Sequence, residues 1–161
     1  SQFRLISDWY CFALLESFSL KDFQADPVYL AKRMRGGLTP TAVSDAFERL
    51  GQLGLLKKVD EKWVRAKGNP ILVGEVPSLA VKNHHRQMLS RSREALFGQD
   101  INEREFRSTQ LSFRRENYAA VKELIRGFHR SIQKLSEREG KGDDVYAFNT
   151  QFFRLTKDIE L

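Results

Sequence analysis

Seven side chains between residues 41 and 65 have the types and spacing to do recognition chemistry. Thr41, Ser44, Arg49 and Gln52 lie on one exposed side of a helical pattern that Thr39-Pro40 opens and Gly54 closes. Such side chains can hydrogen-bond base edges, with Arg suited to guanine and Ser or Thr to base or backbone. Lys57, Lys62 and Arg65 follow on two short strand-like runs, where cations could neutralise phosphates. The chemistry is binding, with no bond made or broken. Asp45 and Glu48 share the same exposed face and would meet a field of like charge.

His84-His85-Arg86 is the other group that could carry chemistry. Adjacent histidines point about 100° apart on a helix, so they cannot clamp one ion as a pair four residues apart does. His85 falls between Val81 and Met88 on the apolar stripe and reads as a hydrogen-bonded, partly buried residue, with His84 facing solvent. Lys82, Arg86, Arg91 and Arg93 make the same helix basic, but Glu94 and further acids interleave with these cations. They read as a solvated face. No phosphate loop, dinucleotide fingerprint, zinc spacing, nucleophile elbow or acid pair occurs. No catalytic residue, metal or cofactor is expected, and the chain does not read as an enzyme.

The elements that must position the recognition residues are legible from their punctuation. Asp8 can cap a first helix with Tyr10, Ala13, Leu14 and Phe18 at helical spacing. Asp26-Pro27 opens a second, to about Arg35, and Gly36-Gly37 turns the chain. The third, Pro40 to about Leu53, has Val43, Phe47, Leu50 and Leu53 on one stripe. Leu55–Val59 and Lys62–Ala66 read as strands around Asp60-Glu61. Helix, turn, helix and small β-ribbon is the order of a winged helix-turn-helix, over residues 1–67.

Lys67–Pro77, with two glycines and two prolines, reads as a joint, assigned to residues 68–77. Ser78 caps a long helix to about Phe97. Thr109, Leu111 and Phe113 alternate with polar residues, as in a half-buried strand over 108–113. A helix runs from about Arg115 to Glu139, with Tyr118, Val121, Ile125, Phe128, Ile132 and Leu135 spaced 3 and 4 apart. Val145–Leu155 is an aromatic-rich last strand, better explained by core packing than as a nucleic-acid platform. The fold class is therefore α+β: a winged helix-turn-helix, then a helix-strand-helix-strand lobe at 78–161 that contains a β-α-β crossover. Two strands make a marginal sheet, so a strand from the first unit or from a second chain must join them. Packing on a sheet and a dimer seam both account for the stripe on the crossover helix.

Bulk properties bound the remaining choices. The 161 residues are 41% hydrophobic and 30% charged, a composition suited to a folded soluble chain. No apolar run is long enough to span a bilayer, and Cys11 stands alone. A cytoplasmic setting follows, with no membrane partner. The sequence starts at Ser1 and enters a helical pattern almost at once, which reads as a fragment with an upstream segment removed. The net charge of +6 suits a polyanion. Residues 1–67 hold eleven Lys/Arg against eight Asp/Glu, and residues 68–161 hold sixteen against thirteen, so neither half monopolises the excess.

FRLISDWYCFALLE, ERLGQLGLLKK, GEVPSLAVKNHHRQML and VYAFNTQFFRLTK together resemble the carboxy-terminal domain of an uncharacterised bacterial family, numerous as paralogues in predatory bacteria. The resemblance covers nearly the whole chain and is most specific in the third block. It implies a transcriptional-regulator context, with a further helix-turn-helix-like region upstream. It draws attention to Trp9, His85, Arg86 and Phe153 without assigning them roles. Lys82 and His84 stand where the family has arginine and an aromatic, and Arg154 where proline is common.

Together these features lead to the expectation of a transcription-regulating module that binds double-stranded DNA as a homodimer. Helix three would read sequence and the wing would hold phosphates. The alternative is a protein-interaction, dimerisation or signal-sensing module, with DNA read by an upstream domain of the same chain.

Overall fold

Asp26 and Thr39 both turn their side chains back onto the helices they precede. Asp26 accepts from the Val28 N–H at 3.0 Å, and Thr39 from the Ala42 N–H at 3.1 Å. Each is followed by proline at the first helical position, where a missing N–H costs nothing. In the computed structural model, which describes residues 3, 6–66, 68, 70–138 and 140–160, these caps open α2 (Pro27–Arg33) and α3 (Pro40–Gln52), after α1 (Trp9–Ser17). Gly54, at φ +73°, ends α3 in the left-handed region that glycine enters without penalty. Strands β1 (Leu56–Val59) and β2 (Lys62–Arg65) follow as an antiparallel hairpin. Its two turn residues, Asp60 and Glu61, both have positive φ, as the tightest hairpin turns require.

Three helices and the hairpin enclose one core. Cys11, Leu14 and Leu15 of α1, Leu30 of α2, Val43, Phe47 and Leu50 of α3, and Leu56 of β1 are buried together. The Ser17 hydroxyl is also fully buried and donates to the Leu14 carbonyl at 2.6 Å, so its polarity is satisfied within the helix. Phe18 joins the ring of Phe47, at 5.5 Å between centroids, to that of Phe23, at 4.3 Å. Trp63 on β2 lies over Gly51, where a Cβ would sit 2.6 Å from the indole; the absent side chain seats the hairpin on the end of α3. We call this unit the head.

Helix α4 (Leu79–Gly98), capped by Ser78, lies against α1 through Val81, His84, Gln87 and Arg91. After a short 3-10 turn at Ile101–Glu103 the chain runs without helix or strand to a second turn at Arg115–Asn117, which leads into α5 (Tyr118–Glu137). Lys67 at the end of the first unit, Asn69 in the joint and the helix end at Glu139 lie outside the described residues.

The α+β class holds in its coarse form, as helices with one small sheet. The strands expected at 108–113 and 145–155 do not form, and with them goes the β-α-β crossover. Among the described residues neither segment forms a helix or a strand, Leu155 lies in a bend, and neither makes a backbone–backbone hydrogen bond. The second segment runs back along α5, Phe148 against Phe128 and His129, and Phe152 against Tyr118 and Phe113. Period-2 patterning shows that a segment can be a strand; a ladder needs a neighbour, and this chain brings none alongside. The nearest approach to one is a lone parallel bridge between Leu20 and Gly142. Arg33 reinforces it by donating to the Asp143 carbonyl and to Asp144, as well as to Asp22.

Candidate nucleic-acid interface

Thr41, Ser44 and Gln52 occupy the open side of α3 and make no side-chain hydrogen bond among the described residues. Asp45 and Glu48 are exposed beside them. Arg49 is not part of that face. Its Nη1 donates to Asp8 Oδ2 at 3.0 Å and its Nη2 to the Tyr10 hydroxyl at 3.2 Å. At 100° per residue Arg49 sits about 60° from Ala46, on the edge of the buried stripe, and its long side chain crosses to the start of α1. A base-edge role for Arg49 is thus corrected to a clamp between α3 and α1.

The hairpin sorts its cations by pairing. Directly opposite residues of an antiparallel pair point to the same face. Leu56 is buried and faces Arg65, so Arg65 also turns inward, where it donates to Glu16 Oε1 at 2.8 Å. Lys58, opposite Trp63, shares that side and holds its ammonium 4.9 Å from the indole centroid. Lys57 and Lys62 lie on the other face, exposed and without an ion pair among the described residues. Of the three wing cations, Lys57 and Lys62 are therefore open and Arg65 is engaged by Glu16. The alternation with Leu56 carried that distinction, but only once the register was known.

Asp8 is the hub behind this surface. It occupies the N-cap position of α1, yet its carboxylate does not cap the helix. One oxygen takes Arg49 and the other accepts from Gln87 Nε2 at 3.2 Å, while the Trp9 N–H donates to Gln87 Oε1 at 2.9 Å. Burial pushes the Asp8 pKa up, but hydrogen bonds from Arg49 and Gln87 outweigh it and leave the carboxyl below its usual range. Burial likewise lowers the Arg49 pKa, and the bonds to Asp8 and Tyr10 reverse that to a net rise. Arg91 stacks its guanidinium 5.0 Å from the Trp9 ring and pairs with Glu94. Neither Gln87 nor this stack was signalled by sequence, because their partners lie some eighty residues away.

Of the two histidines, only His84 departs from expectation. His84 is buried and His85 half-buried, because α4 meets α1 along Val81, His84 and Gln87, spaced by three, and not along Val81 and His85. His84 Nδ1 donates to the Ser7 carbonyl at 3.3 Å, and its ring meets Phe3 and Phe12 edge-on. His85 Nε2 reaches the Gly74 carbonyl at 3.3 Å. Burial lowers the His84 pKa below its ordinary value of 6.5, against the Ser7 bond. A depressed folded-state pKa gives stability that is present above the unfolded value and lost as pH falls through the folded one. Thermal unfolding followed from pH 7.5 to 5 should therefore show a decline in wild type that His84→Phe reduces, the remainder including His129, whose pKa burial also lowers. Parallel curves for the two proteins would refute it. The Cys11 thiol, pushed up to about 11 by burial, is no nucleophile at neutral pH.

No group of three or more metal-binding side chains occurs among the described residues, and no helix there is long and apolar enough to cross a membrane. The family described as Domain of unknown function (DUF4423) matches residues 1–155. No curated protein and no solved structure matches the chain.

Proposed function

We propose that this chain, which belongs to the DUF4423 family, is a DNA-binding module of a transcriptional regulator whose head acts as a winged helix on duplex DNA, within a dimer. Residues 1–67 form the winged helix, 68–77 the joint, and 78–161 a lobe that pairs subunits. The observation that carries the reading is the division of labour in the head. Arg49 and Arg65 are turned inward to hold it together and Lys58, though exposed, lies over Trp63, while Thr41, Ser44 and Gln52 on α3 and Lys57 and Lys62 on the hairpin are left open. Polar α3 side chains would read bases and the two lysines would hold phosphates.

Anisotropy of a fluorescent random-sequence duplex, titrated at low and then physiological salt, tests it. Binding should weaken steeply with salt as counterions are displaced. Lys57→Ala with Lys62→Ala should lower the salt slope by about two and the affinity roughly tenfold or more. No binding at low salt, or binding indifferent to both salt and the two lysines, would remove DNA from this head. A second reading then takes over, favoured by exposed Asp45 and Glu48: a head that docks a protein surface, with DNA read elsewhere in the same protein.

A further inference from the structure

The half of the chain after α4 is built like one side of an interface. No residue of α5 is buried. Leu124 is 75% exposed, Phe128 and Leu135 are also open, and on the last segment Phe153 and Leu155 are 71% and 74% exposed. The accessible surface is 12362 Å². A folded monomer of 18.7 kDa exposes about 8,300 Å². The excess, about 4,000 Å², is roughly five times the ~800 Å² each partner contributes to a standard-size contact. That excess belongs to the whole chain, and its size is that of an extensive, obligate type of association.

We infer that a second copy of this chain completes this half, segments 104–113 and 145–155 of one copy pairing with those of the other and covering the exposed apolar flank of α5. Among the described residues neither segment makes a backbone–backbone hydrogen bond, and both carry exposed apolar side chains, so each offers donors and acceptors that a strand partner could take up. A second copy supplies what a foreign peptide does not. Across a two-fold axis each copy offers the same edges and the same α5 flank, so every open surface finds its complement at once. The last segment is anchored within its own copy, which fixes where it meets a partner. Gly142, where the tail begins, is fixed to Ser19 and Lys21 by two backbone bonds of 2.9 Å. Thr150 is tied to His129 Nε2 at 2.9 Å, and Asp158 to Arg115 at 2.7 Å. The inference deepens the dimer part of the proposed function but does not rest on DNA binding, and it is tested without DNA.

Sedimentation equilibrium on the whole chain should give twice 18.7 kDa. Hydrogen exchange should find amides in 105–113 and 146–155 slowed at least about a hundredfold against an unstructured chain, although no bond within one copy protects them. Phe153→Lys with Leu155→Lys should yield a monomer in which those amides exchange freely, while the far-ultraviolet signal of the helices persists. Both side chains are exposed in the single copy, so their loss should leave its fold intact. A monomeric wild type, an assembly that keeps growing with concentration, or a double variant still dimeric and protected would each overturn the inference.

Discussion

Phe47→Ala should leave the head substantially unfolded. The ring is 2% exposed and packed in the one core that α1, α2, α3 and β1 share. Truncating a buried phenylalanine costs about 3–5 kcal/mol, from lost transfer energy and from the cavity left behind. A unit of roughly sixty residues has only about 3–9 kcal/mol in total. The Phe18 ring, stacked between Phe47 and Phe23, would lose its neighbour on one side and slacken the loop between α1 and α2. Urea unfolding followed by circular dichroism measures the effect. Phe47→Leu, which keeps most of the volume, should lose no more than about 1.5 kcal/mol. If Phe47→Ala also lost less than about 1 kcal/mol, this core would not be what holds the helices together.

Gly36→Ala should cost about 2–3 kcal/mol, well above the same change one residue later. Gly36 sits at φ +94°, a conformation that costs a residue bearing a Cβ of order 1 kcal/mol or more. The added carbon would also fall on Arg91 Nη1 and lie 2.6 Å from the Trp9 ring. Arg91 Nη1 is already buried without an acceptor among the described residues. Its guanidinium depends on the Trp9 face and Glu94, so displacing it loosens α4 from α1. Gly37 supplies the control. It too has positive φ, +68°, but a Cβ there meets nothing within 4 Å. The difference between the two variants isolates the steric part, and equal losses would show that the Trp9–Arg91 stack yields without cost.

Much of the head was legible before any coordinates, for a local reason. Caps at Asp26 and Thr39, prolines behind them, Gly54, and the Val43–Phe47–Leu50 stripe each act within a turn or two of chain, so the order of elements and the face of α3 follow from short windows. The candidate site was legible in part. Thr41, Ser44, Gln52, Lys57 and Lys62 are open, as their helical and strand positions require. Arg49 and Arg65 were misplaced because charge suggests solvent, whereas a long cation beside a buried stripe can turn in when a carboxylate waits there.

What only the tertiary structure decided is where long-range partners lie. Arg49 meets Asp8 from 41 residues away, Arg65 meets Glu16 from 49, and His84 meets Ser7 from 77. No window of sequence encodes those separations, and it is the docking of α4 on α1 that buries His84. Segments 108–113 and 145–155 mark the same boundary. Their alternation made them capable of being strands, a property of single residues, but a strand exists only with a neighbour, and that is a property of the assembled fold.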